Sequence, residues 1–132
     1  EMMGELISID LNYDRTALSV NDTVTVNASV ALNQEGTVKM ALIDLGVPPG
    51  FNVMTEDLGQ LVEKGLIARY EMTGRQVIIY LEDFSSEAPL QFSYRMRARF
   101  PMRAQTPSSS AYDYYNPADV STRAPLQVTV IE

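Results

Sequence analysis

Two pairs of adjacent carboxylates, Glu56-Asp57 and Glu82-Asp83, are the residues whose type could support chemistry, as a general acid and base or as cation ligands. A general acid or base needs a second reacting group nearby, and this chain has neither histidine nor cysteine. That removes Ser-His-Asp and Cys-His nucleophiles, thiol chemistry, and zinc or haem sites built on those ligands. A calcium loop would need Asp-x-Asp-x-Asp-Gly, which does not occur. Glu56 and Asp57 are better read as acids at the positive start of a helix. No catalytic residue, metal or cofactor is expected, and the chain reads as non-enzymatic.

Two further clusters suit contact rather than catalysis. Arg95, Arg97, Arg99 and Arg103 hold four of the ten positive charges in nine positions, and period-two geometry would project the first three from one face of one strand. They could form a basic stripe for an acidic partner. The simpler reading is a solvated sheet face whose arginines pair with acids on a neighbouring strand. Tyr112-Asp113-Tyr114-Tyr115 concentrates rigid amphipathic area just before an Asn116-Pro117 turn signal. It could dock on another surface or stack on a sugar, or it could place two rings in the core and leave one exposed.

The elements that must carry these residues are mostly strands. Ile7, Ile9, Leu11 and Tyr13 alternate with polar residues, and so do Val24, Val26, Ala28, Val30 and Leu32 after a turn at Asn21-Asp22. Val38, Met40 and Leu42 share a face, and Gly46 to Gly50 breaks that strand. The continuous run Val77 to Leu81 suggests a strand buried on both faces or lying under a helix. Leu90, Phe92, Tyr94, Met96, Ala98 and Phe100 form the longest alternation, ended by Pro101. A final strand carries Leu126, Val128 and Val130, reached through a polar stretch from Ala118 to Pro125.

One segment departs from this period. Thr55 to Lys64 sets Leu58, Leu61 and Val62 at helical spacing, with Thr55 as N-cap and Lys64-Gly65 at the end. The expected architecture is an all-β, antiparallel β-sandwich of two packed sheets with one short inserted α-helix at about 55–64.

At 132 residues the chain forms one domain, residues 1–132, with ordinary apolar content. A net charge of -7 argues against nucleic acid as a partner. No apolar run approaches a membrane span. The lack of cysteine leaves the compartment open. Asn21-Asp22-Thr23 and Asn27-Ala28-Ser29 match the glycosylation sequon, which matters only in a eukaryotic secretory chain. A strand-like segment begins almost at Glu1, with no leader before it, so the chain reads as a domain excised from a longer protein.

Four pieces taken in order resemble the C-terminal receptor-binding domain of the alpha-2-macroglobulin and thioester-containing protein family. They are Met40-Ala41-Leu42-Ile43-Asp44 with Pro49-Gly50-Phe51, then Arg69-Tyr70-Glu71, then Val77 to Glu82, then Tyr112 to Tyr115. The resemblance spans nearly the whole chain. It implies a domain at the end of an exported, extracellular, periplasmic or cell-surface protein that traps proteases. In such proteins this domain packs on the thioester domain, shields its bond, and moves away on activation. The thioester sequence Gly-Cys-Gly-Glu-Gln itself does not occur here.

By that resemblance Met40, Tyr80 and Tyr114 match bulky positions over the thioester, with Tyr112 and Tyr115 beside them. The simpler reading is that Met40 and Tyr80 are core residues, and for Met40 the two readings stand level. Animal members carry two helix lysines for a scavenger receptor, and Thr55 and Gly59 stand at the matching positions. Lysine-dependent receptor recognition is therefore not expected, and a microbial member fits better. The alternative from another class is an adhesive or carbohydrate-binding module using Tyr112 to Tyr115.

Overall fold

Alternation along each strand divides the chain into residues that meet across a core and residues that face out. The computed structural model describes residues 6–106, 108–123 and 127–132. An antiparallel four-stranded sheet orders β1 (Ile7–Tyr13), β3 (Thr23–Leu32), β8 (Leu90–Ala98) and β5 (Phe51–Val53). An antiparallel five-stranded sheet orders β11 (Asn116–Arg123), β10 (Ser109–Asp113), β4 (Thr37–Gly46), β7 (Gln76–Ser85) and β6 (Arg69–Met72). Ile7, Ile9, Val24, Val26, Val30, Tyr94 and Met96 from the first sheet join Ala41, Ile43, Leu45, Val77, Ile79 and Ala111 from the second in one buried cluster. Each large apolar side chain removed from water contributes about 1.5–3 kcal/mol. Tyr13 and Tyr94 flank Val26 on the inner face, and burial pushes the Tyr13 phenol up to about 12.

The β-sandwich with one helix is as expected, but the layering is richer. β2 (Ala17–Ser19), β12 (Gln127–Ile131) and β9 (Met102–Gln105) form a third, three-stranded sheet, in which β12 and β2 run parallel. The polar stretch from Ala118 is not a loop. It belongs to β11, which is paired to β10 at the edge of its sheet. The tight turn falls at Tyr114-Tyr115, and Asn116-Pro117 opens the strand instead. An edge strand admits proline because one row of its N–H groups has no ladder partner. Pro125 and Leu126 lie outside the described residues. β8 stops at Ala98, so Phe100 falls beyond the alternation and is exposed.

The face shared by Val38, Met40 and Leu42 also needs correction. Val38 and Phe84 lie in the core, whereas Met40 and Leu42 point out beside Glu82 and Tyr80. The pair changes sides around Lys39 and Asp83. Asp83 adopts φ 52°, a left-handed conformation that leaves Glu82 and Asp83 both exposed before Phe84 turns in. That conformation accounts for the second acidic pair structurally.

The helix α1 (Thr55–Glu63) follows β5 directly and buries Leu58 and Leu61. Its N-cap is Met54 rather than Thr55, and no side chain caps it. Its C-terminus forms a Schellman motif. The Gly65 N–H donates to the Val62 carbonyl and the Leu66 N–H to that of Leu61, with Gly65 at φ 77°. The Asp57 carboxylate accepts from the backbone N–H of Arg95 at 3.0 Å and from its guanidinium at 2.9 Å. These bonds fasten the helix to β8, and hydrogen bonding to Arg95 holds the Asp57 carboxyl below the usual range.

Three stability outcomes follow from these local geometries. Gly59 sits within the helix and a Cβ there would meet nothing within 4 Å. Gly59→Ala should therefore raise stability by about 0.5–1 kcal/mol, and Gly65→Ala should lower it by about 1 kcal/mol, in urea unfolding. Asp57→Ala should cost about 1–3 kcal/mol, because it also leaves the Arg95 N–H without its acceptor. A depressed folded-state pKa means that the Asp57 contribution is present above the carboxylate's unfolded pKa. It is lost as pH falls through the folded value, so the gap between wild type and Asp57→Ala should narrow under acid.

Candidate docking surface

The residues proposed for contact gather on the outer face of the five-stranded sheet. Registers set Tyr112 opposite Leu42, Leu42 opposite Tyr80, and Tyr80 opposite Arg69, one row across β10, β4, β7 and β6. The adjacent row runs Ser110, Asp44, Ile78 and Glu71. Met40 continues β4 opposite Glu82, and its carbonyl accepts from the Tyr114 N–H at 2.9 Å. Met40, Tyr80 and Tyr112 are half-buried and none is in the core cluster. Leu42 is only 6% exposed although it faces outward, flanked by Tyr112 and Tyr80.

The reading of Val77 to Leu81 as buried on both faces is corrected by this arrangement. Val77, Ile79 and Leu81 are buried, whereas Ile78 and Tyr80 stand half-buried on a face that no helix covers among the described residues. Of the two readings of the tyrosine cluster, the one that places two rings in the core does not hold. Tyr112 is half-buried, and Tyr114 and Tyr115 are 50% and 65% exposed. A two-residue hairpin turn puts both rings outside, where they meet edge to face with centroids 5.2 Å apart. The Tyr115 N–H donates to the Asp113 carboxylate at 2.9 Å, bracing the turn.

Polar groups on this face hold the rings in place. The Arg69 guanidinium stacks 3.8 Å from the Tyr80 ring centroid. The Tyr80 hydroxyl donates to Glu71 at 3.0 Å, and Arg69 bonds the same carboxylate at 3.2 Å. Desolvation and then the Glu71 bond raise the Tyr80 pKa. Asp44 accepts from the Gln76 amide, while desolvation pushes its carboxyl up. Arg69 and Glu71 are not among the residues expected at the site, yet their i, i+2 spacing, just before the run Val77 to Leu81, puts both on one face of β6, beside Tyr80.

The three arginines do not all project from one strand face, and the simpler reading of a solvated face with paired arginines describes them better. Arg95 and Arg97 share an exposed face of β8, but Arg99 lies past its end. Arg95 pairs with Asp57 of the helix, not with an acid on a neighbouring strand, because the helix start lies against that edge of β8. The outer face of the four-stranded sheet is polar, with Asp10, Asn27, Gln91 and Ser93 exposed along it. Among the described residues no group of three or more acidic side chains is disposed to hold a metal, and no helix is long and apolar enough to cross a membrane.

The model of the A-macroglobulin receptor binding domain matches residues 36–124, from just before β4 to just after β11. The chain belongs to this family. It is 33% identical over 87 residues to complement C3 of Lethenteron camtschaticum, a match covering 64% of this chain and 5% of that protein. Its fold is similar to native alpha-2-macroglobulin from Escherichia coli, spanning domain MG7 to the C-terminus, with a TM-score of 0.81 at 18% identity over 96% of this chain and 24% of that one. Salmonella alpha-2-macroglobulin reacted with methylamine matches all of this chain at a TM-score of 0.81 and 17% identity, with 10% of its own length covered. The chain thus spans a small part of each relative.

The clamp on Tyr80 has a direct spectroscopic consequence. Glu71→Gln should lower the Tyr80 pKa toward the ordinary value of 10.0, read by NMR of ring-labelled tyrosine. An unmoved titration would show that the phenol is not engaged by this carboxylate in solution.

Proposed function

We infer that this chain is the docking module of a longer, exported alpha-2-macroglobulin-like protein that traps proteases. In this reading it is non-catalytic, and it works outside the cytoplasm, in the periplasm, at the cell surface or beyond. Its outer five-stranded face packs on the thioester domain of the same polypeptide, shields the reactive bond and moves away on activation. The observation that carries the reading is the strip formed by Met40, Leu42, Ile78, Tyr80, Tyr112 and Tyr114 on a face left uncovered among the described residues. In a member of this family such a strip supports docking.

Physical chemistry supports the same role. A thioester lasts only where water and amines are kept away, and large side chains on a rigid sheet exclude both. Phenol groups at the rim supply hydrogen bonds while their rings cover the bond. Tyr80, held by Arg69 and Glu71, is preorganised for contact and loses little freedom on docking. The carbohydrate-binding alternative fits less well, because Tyr114 and Tyr115 cross at 88° and present no common stacking plane. Thr55 is exposed at the helix start and Gly59 has no side chain, which supports a partner other than a lysine-reading receptor.

The test is chemical. In the full-length polypeptide carrying the thioester, Tyr114→Ala and Tyr80→Ala should each speed methylamine incorporation before proteolysis by about tenfold, the factor carried by roughly 1.4 kcal/mol. The circular dichroism spectrum should not change. Rates equal to wild type in both variants would defeat the shielding role and leave these residues as packing.

A further inference from the structure

We propose that the groove between α1 and the edge of β8 binds an extended peptide segment of a partner protein by strand addition, with an acidic residue of that segment facing Lys64. β5 pairs with β8 only from Met96 to Ala98. The chain then leaves the edge at Met54, whose N–H donates to the Arg95 carbonyl, and turns into the helix. Asp57 takes up the Arg95 N–H in place of a strand. Below that point the edge is bare. Arg95 directs its backbone groups away from β3, to Asp57 and Met54, so the two-residue period directs those of Ser93 and Gln91 the same way, and among the described residues those of Ser93 and Gln91 meet no partner. Such a row of alternating donors and acceptors is satisfied by one kind of occupant, a polypeptide in extended conformation.

The groove around this edge has the size and chemistry to hold one. It is an open groove of about 390 Å³ beside Gln91, Ser93, Gln60, Leu61, Lys64 and Leu66, comparable with the roughly 300–1,000 Å³ usual for ligand sites. Leu61 is buried, and Leu66 is 44% exposed, which offers an alternate side chain of the guest an apolar contact. Asp57 is neutralised by Arg95 at 2.9 Å, so Lys64 is the lining charge with no ion pair among the described residues. Charge complementarity therefore favours an acidic residue in the guest. The occupant continues the line of β5 along β8 where the chain itself has turned away. This site lies on the other sheet from the docking face and does not depend on that assignment.

The probe is a blocked hexapeptide, acetyl-Val-Thr-Val-Asp-Val-Thr-amide, titrated into the purified chain while amide shifts are followed by NMR. Shifts should concentrate at residues 91–95 and 60–66, with dissociation below about 1 mM. Ser93→Pro removes one edge N–H that faces away from β3, so it should weaken binding about tenfold with the fold intact, and Lys64→Glu should weaken it by a similar factor. A peptide methylated at alternate backbone nitrogens keeps every side chain and should not bind. This last arm holds even if Ser93→Pro fails to fold. Equal binding of the methylated peptide, tighter binding of a Lys-for-Asp peptide, no binding at about 1 mM, or self-association through this edge would each overturn the proposal.

Discussion

The register of β4 against β7 governs the functional surface. It sets Ala41, Ile43 and Leu45 against Leu81, Ile79 and Val77 toward the core, and thereby sends Met40, Leu42, Ile78 and Tyr80 outward. A slip of one residue would exchange the two sets, exposing the isoleucines that lock the sheets together. Burial of Ile43 and Ile79 thus also fixes where Tyr80 stands, so that stability and surface chemistry follow from one pairing. The neighbouring strands inherit the choice, since β10 and β6 read their facing from this central pair.

At β8 a different constraint dominates, the need of backbone groups for partners. The sheet could have continued β5 along this edge, but Pro48, Pro49 and Gly50 lead into a short strand and a helix instead. One carboxylate then substitutes for a strand at Arg95, accepting from the backbone N–H and from two guanidinium nitrogens. The outcome is a helix held against a sheet edge by hydrogen bonds, with a groove beside the part that the carboxylate does not reach. The two large sheets thereby acquire unlike exteriors, one aromatic and half-buried, the other polar and bordered by an open edge.

Likeness to bacterial alpha-2-macroglobulins at 17–18% identity with TM-scores of 0.81 has a simple basis. A sandwich needs apolar side chains of adequate volume at alternate positions, and many sequences meet that requirement. The family model matches 36–124, which contains all of the five-stranded sheet, while β1 to β3 precede it. Those first strands complete the core through Ile7, Ile9, Val24 and Val26, a task that alternation alone can fulfil.

Much was legible in the chain itself. Alternation over 7–13, 24–32 and 90–98, helical spacing at Leu58 and Leu61, and the lack of histidine and cysteine are local properties, so they indicated a β-sandwich with one helix and no thiol or imidazole chemistry. What local pattern cannot encode is which of two faces meets the core when both carry apolar residues. Met40-Ala41-Leu42-Ile43 offers that ambiguity, and only packing against the opposite sheet, with Asp83 turning the strand, resolved it. Partners distant in sequence were equally hidden, as Asp57 and Arg95 lie 38 residues apart. The tyrosine turn fell two residues before Asn116-Pro117 because pairing with β4 and the Tyr114 bond to Met40 outweighed the local preference for a turn at proline. Residue types and their periods were determined by the sequence. Side, register and the exposed strip were decided by long-range pairing, because those choices depend on contacts that no single segment contains.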